Sequence, residues 1–155
     1  MLSDDMKELL SLFRHQGVRY VVVGGHAVNY YGYVRATQDI DVLVYPSADN
    51  AKRIMLALND FGFGSAGIPQ QLFEEQGGAV HLGEAPNRID LLTSLKGVSN
   101  DTIFDDARRV EIEGLTVDLI SLESLLTVKR CSDRPRDQAD ADELEKINRA
   151  DRRDD

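Results

Sequence analysis

Several residue types are scarce in this chain, and each scarcity removes a class of protein. Cys131 is the only cysteine and there is no tryptophan among 155 residues. One thiol excludes an internal disulfide and a cysteine-based zinc cluster, and it suits a reducing, cytoplasmic setting. Four prolines make no proline-rich linker, so nothing divides the chain into separate domains. No apolar run exceeds a handful of residues, which is too short to cross a bilayer, and no membrane contact is expected. The opening Met1-Leu2-Ser3-Asp4-Asp5 is acidic and lacks the basic and apolar regions of a secretory leader. Basic residues are outnumbered too: 18 Lys and Arg against 27 Asp and Glu give a net charge of −9. A protein that coats nucleic acid is normally basic, because its affinity comes largely from counterion release at phosphates. An acidic chain holds a phosphate-bearing ligand where a metal ion reverses the local field. Otherwise the acids are a solvated surface.

Hydrophobic residues make up 42% of the chain and charged residues 29%, the balance of one globular domain with a sizeable core. The pattern predicts a single domain over residues 1–147, with a core over 18–120, C-terminal helices over 121–147, and a charged, apolar-free tail at 148–155 that frays. Residues 1–16 carry apolar side chains at helical spacing, and Gly17 ends the run. The run Val18-Arg19-Tyr20-Val21-Val22-Val23 reads as a strand buried on both faces. Gly24-Gly25 breaks it and a short helix follows, closed by Gly32. A second strand covers 39–44, and Ser47 caps a helix over 48–60. A short helix is expected over 68–76, strands over 79–82 and 88–92, and an ambiguous helical turn over 101–108. A hairpin spans 109–120, Ser121 caps a helix to about 131, and the final helix starts at Arg134-Pro135. The order of elements predicts an α/β (α+β) fold, a mixed β-sheet flanked by helices.

Three acids stand out because apolar strands surround them. Asp39 and Asp41 are two apart, so both side chains leave the same face of their strand while Ile40 and Val42 point to the core. Asp90 lies inside Ile89-Asp90-Leu91-Leu92. Side-by-side carboxylates on such strands repel one another and resist desolvation, and a divalent cation relieves both costs. An oxygen-only site of three acids suits Mg²⁺ or Mn²⁺. The alternative is a solvated strand face for Asp39 and Asp41, with Asp90 capping a turn. Gly24-Gly25, at the carboxyl end of the neighbouring strand, lets backbone amides approach a phosphate closely, though such a pair is also a common tight turn.

In that order, Val21-Val22-Val23-Gly24-Gly25, Asp39-Ile40-Asp41-Val42 and Ile89-Asp90-Leu91 resemble the nucleotidyltransferase superfamily that includes DNA polymerase beta. The resemblance covers residues 18–92. Further on, Lys129, Arg134, Arg136, Asp137 and Asp140 resemble the basic-acidic stretch of small abortive-infection-type nucleotidyltransferases, some of which are toxins of toxin–antitoxin pairs. The resemblance implies a polymerase-beta-like fold and transfer of an NMP from an NTP, with Mg²⁺ (or Mn²⁺) held by Asp39, Asp41 and Asp90. Gly24 and Gly25 would contact the triphosphate, and Asp90 would also take the proton of the acceptor. The acceptor stays open among an RNA end, a protein and a small molecule. A cognate antitoxin, or a homodimer completing the cleft, is the implied partner. The alternative is a catalytically silent nucleotide- or partner-binding module of the same fold, and a third reading is hydrolysis of a phosphate ester.

The remaining polar residues have two readings each. Arg35, with Thr37 beside it, reaches a phosphate or pairs with a surface acid. His26 contacts the ligand or merely neighbours a cap, and it stands where many members place a small or hydroxyl residue. Lys129, Arg134 and Arg136 neutralise charge on the transferring phosphate, or pair locally with Asp133, Asp137 and Asp140. His81 occupies a solvated sheet position or faces the site. Tyr30, Tyr31 and Tyr33 pack on the sheet or stack on a base. His15 is read as a surface residue, and Cys131 as a small buried apolar one.

Overall fold

A computed structural model describes residues 1–153. The elements are α1 (Asp4–Gln16), β1 (Tyr20–Val23), α2 (Gly24–Tyr30), β2 (Asp39–Val44), α3 (Ala48–Leu58), β3 (Ala79–Leu82), β4 (Arg88–Leu92), α4 (Asn100–Asp106), β5 (Arg108–Ile112), β6 (Leu115–Leu119), α5 (Leu122–Arg130) and α6 (Pro135–Arg153). A π-helical turn at Asn59–Phe63 and a 3₁₀ turn at Gln70–Phe73 complete the set. The six strands form one mixed sheet in the order β3-β4-β2-β1-β6-β5. β1 runs antiparallel to β2 and parallel to β6, and β2 runs parallel to β4. This is the mixed α/β architecture expected from the sequence.

All four residues of β1 are buried, as its unbroken apolar run requires for a strand near the centre of a covered sheet. Helix α1 buries Met6, Leu9, Leu10 and Phe13 and packs against α3, whose Ile54, Ala57 and Leu58 are buried. Asn50, 2% exposed, ties α3 to the sheet: its Oδ1 accepts from Arg19 N at 2.7 Å and its Nδ2 donates to the Arg19 and Tyr45 carbonyls. Ser3, Ser47, Ser99 and Ser121 each accept a backbone N–H at the start of a helix.

Two local expectations are corrected and an ambiguous one is resolved. Residues 68–76 form only the single 3₁₀ turn, because glycines at 64, 67, 77 and 78 hem it in and only Phe73 of the turn is buried. The ambiguous stretch at 101–108 is the Ser99-capped helix α4, followed at once by β5. The last helix continues through Arg153 rather than ending near 147, with Glu143–Lys146 and Glu145–Arg149 pairs along its polar surface. Residues 154–155 of the expected frayed tail lie outside the described residues.

Candidate functional site

Register assembles the site. Asp41 stands opposite Asp90 across β2 and β4, and Asp39 stands opposite Arg88. On the far side of β4, His81 stands opposite Asp90, and Val23 at the end of β1 stands opposite Asp41. Side chains two apart on a strand share a face, so Asp39, Asp41, Arg88 and Asp90 converge above one patch of sheet. One carboxylate oxygen from each of the three acids lies within 4.8 Å of the other two. Asp90 is buried, and Asp39 and Asp41 are half-buried.

The Asp41 carboxyl is strongly perturbed. Burial, followed by the charges of Asp39 and Asp90, raises it from 3.8 to about 7. Gly24 leaves room for it: the backbone there has φ +68, and a Cβ would run into Asp41 Oδ2. Only glycine meets both demands at low cost. Gly25 is similarly crowded, since a Cβ would come within 2.7 Å of Thr37 Oγ1.

The C-terminal helices bring the cations. Lys129, 8% exposed on α5, pairs with Asp137 at 3.0 Å and Asp140 at 3.1 Å. Asp140 also receives Arg35, with Nε at 2.9 Å and Nη2 at 2.8 Å on its two oxygens. Burial alone would raise Asp140, but the hydrogen bonds from Arg35 and Lys129 outweigh it and hold the group below its usual range. Asp137 behaves in the same way: burial raises it, and the bonds from Ser132 and Lys129 win. The local-pairing reading is thus realised for Lys129, whereas Arg35 pairs with a buried acid, Asp140, instead of a surface one. Arg134 and Arg136 differ, since neither guanidinium makes an ion pair among the described residues.

Two cavities meet at Asp41. One, of about 370 Å³, is polar and is lined by Gly25, Arg35, Thr37, Asp39, Asp41, Asp90, Lys129, Arg134 and Arg136, together with His81 and Arg88. The other, of about 490 Å³, shares Asp41, Lys129 and Arg134 but has an apolar wall of Val23, Leu92, Leu95, Ile120, Leu125 and Val128, and Gly24 lies in its lining. Gly24, Gly25, Arg35, Thr37, Asp39, Asp41, Asp90, Lys129, Arg134 and Arg136 thus all line one cavity or the other, and His26 does not. His26 is 6% exposed and lines a separate cavity with Met1, Tyr30 and Glu113. Its Nε2 has no partner among the described residues, and burial holds it below the usual histidine range. The structure places His26 in the lining of neither cavity at Asp41, so this placement does not support a ligand-contact role there.

One residue of the site, Arg88, was missed, and for His81 the reading that it faces the site is the one realised. Arg88 donates to Asp39 and Asp90, and His81 Nδ1 lies 2.6 Å from Asp90 Oδ1 although its side chain is 59% exposed. Arg88 could have been found from its position two before Asp90 on the same strand. The choice between the two readings of His81 rests on β3–β4 register. Tyr31 packs and donates to the Ile120 carbonyl at 2.7 Å, and none of the three tyrosines lines either cavity at Asp41. His15 is exposed, and Cys131 is half-buried in the wall of the apolar cavity.

The donor set fits a hard divalent cation: three carboxylates, no sulfur, and a carboxyl whose charge is suppressed unless a cation offsets its neighbours. The chain is similar in fold to the lincosamide antibiotic adenylyltransferase LnuA in its lincomycin-bound form (TM-score 0.58, 16% identity, 94% of this chain and 98% of that one). It is likewise similar to an antigenic nucleotidyltransferase-like protein from Paracoccidioides brasiliensis (0.57, 18%, 94% and 77%). A third likeness is to a protein from Thermotoga maritima assigned as a nucleotidyltransferase (0.55, 12%, 97% and 91%). No curated protein matches the sequence. The family model described as "Nucleotidyl transferase of unknown function (DUF2204)" matches residues 2–154, and the chain belongs to that family.

Proposed function

We propose that this protein transfers a nucleoside monophosphate from an NTP to a hydroxyl on a small-molecule acceptor. The observation that carries the reading is the meeting of a guanidinium-lined polar cavity and an apolar cavity at one cluster of three carboxylates. Arg134 and Arg136, which have no ion-pair partner among the described residues, bind the triphosphate in the polar cavity, with the Gly25 backbone and Thr37 beside them. The apolar wall of the second cavity takes the nucleoside. Asp39, Asp41 and Asp90 hold Mg²⁺ or Mn²⁺, which when bound activates the attacking oxygen and offsets charge on the leaving pyrophosphate. Asp90 takes the acceptor's proton as its oxygen bonds to the α-phosphorus and the bond to pyrophosphate breaks. Lys129 is a positioning residue, holding Asp137 and Asp140 so that α5 and α6 keep the two cavities open beside the acids.

The net charge of −9 disfavours a nucleic-acid acceptor. The likeness in fold to a lincosamide antibiotic adenylyltransferase in its lincomycin-bound form supports a small-molecule one. The first test is a thermal-shift titration with each NTP and Mg²⁺, comparing wild type with Asp41→Asn. At about 100 times its Kd a nucleotide adds about 2.7 kcal/mol of stability. A shift that needs metal and vanishes in Asp41→Asn supports the reading. Transfer of label from an α-labelled NTP then separates a small acceptor from RNA, protein or water. No shift with any NTP and metal would overturn the reading.

A further inference from the structure

Three carboxylates this close repel one another unless a cation lies among them. A cation of the chain's own is already there. Arg88 Nη2 donates to Asp39 Oδ2 at 2.8 Å and to Asp90 Oδ2 at 3.1 Å, and Arg88 Nε lies 3.0 Å from Asp90 Oδ1. His81 Nδ1 holds Asp90 Oδ1 at 2.6 Å from the neighbouring strand. Both oxygens of Asp90 and one of Asp39 are therefore engaged. The engaged atoms are the hard donors a divalent ion needs, and a guanidinium stays charged at any working pH, so it cannot yield by losing a proton.

Resting on the metal reading above, we propose that Arg88 is the resident counter-ion of the carboxylate cluster and that a divalent ion binds by exchange with it. Oxygens that accept from Arg88 have fewer lone pairs to offer a metal, and two cations among the same acids repel. The exchange is open to the side chain: Arg88 is 41% exposed and lies in the wall of the polar cavity, so it turns away without disturbing the core. That same cavity is where the phosphates of an NTP would give the displaced guanidinium new acceptors. Metal and nucleotide then favour each other's binding, and the site holds metal weakly until nucleotide arrives.

The test is a Mn²⁺ titration followed by electron paramagnetic resonance, without nucleotide, on wild type, Arg88→Gln, Arg88→Lys and Asp41→Asn. Removing the resident guanidinium should tighten Mn²⁺ binding roughly tenfold in Arg88→Gln, because a competing positive charge a few ångströms from the metal position is gone. Arg88→Lys should fall between, since a single ammonium cannot bridge as a fork does. Melting curves in EDTA and in Mn²⁺ provide a readout independent of turnover. Arg88→Gln should melt below wild type in EDTA and gain more from Mn²⁺. If Asp41→Asn abolishes Mn²⁺ binding but Arg88→Gln binds no tighter than wild type, exchange is overturned and the metal site stands. If none of the proteins binds Mn²⁺, the metal reading itself falls and this inference with it.

Discussion

Asp41 shows how one residue carries the chemistry of this site into the stability of the whole protein. Its carboxyl titrates at about 7 in the fold, because it is buried beside Asp39 and Asp90, and near 3.8 when unfolded. Between those values the native protein keeps a proton that the unfolded chain has lost. The contribution is therefore fully present below about pH 4 and is lost as pH rises through about 7. In EDTA the melting temperature of wild type should fall between pH 5 and pH 8 by more than that of Asp41→Asn, whose neutral amide does not titrate. A metal that binds the ionised form should flatten the difference and release a proton, which calorimetry in two buffers of different ionisation enthalpy would count. Equal pH profiles for the two proteins would contradict the raised value.

At the scale of elements, Asp140 is the knot. Its side chain, 2% exposed, joins α6 to Arg35 in the loop before β2 and to Lys129 on α5, so three segments meet on one carboxylate. Asp140→Asn keeps the shape and removes the charge, leaving Arg35 and Lys129, 16% and 10% exposed, without it. Breaking a buried pair by neutralising one partner costs roughly 3–5 kcal/mol, which chemical denaturation would register. The same change should lower nucleotide binding, because Arg134 and Arg136 ride on the start of α6 and the turn before it. The sequence placed these residues on one stretch and foresaw local pairing with Asp137 and Asp140. It could not show that Arg35, 105 residues away from Asp140, closes the same cluster.

For the whole molecule, the acidic balance decides what it approaches. With net charge −9, long-range steering favours small or cationic partners over polyanions. A transfer-RNA mobility shift at low salt should show no complex at micromolar protein, and labelled nucleotide should end on small molecules instead of RNA. Label on RNA would contradict the acceptor class proposed here.

Strand identity, the shared face of Asp39 and Asp41, the glycine pair beside them and the cationic stretch at 129–136 were legible because they depend on spacing along the chain, on periods of two and of 3.6 residues. The last residues of the final helix were less so, since polar i,i+3 and i,i+4 pairs support a helix with no apolar stripe to announce it. Only the tertiary structure decided that Asp90 lies level with Asp41, that His81 and Arg88 bind the same carboxylates, and that His26 belongs elsewhere. The physical reason is register: hydrogen bonding between strands far apart in sequence fixes which side chains become neighbours, and no local pattern encodes that choice. The sequence by itself determined which residues could do the chemistry, and the sheet decided which of them meet.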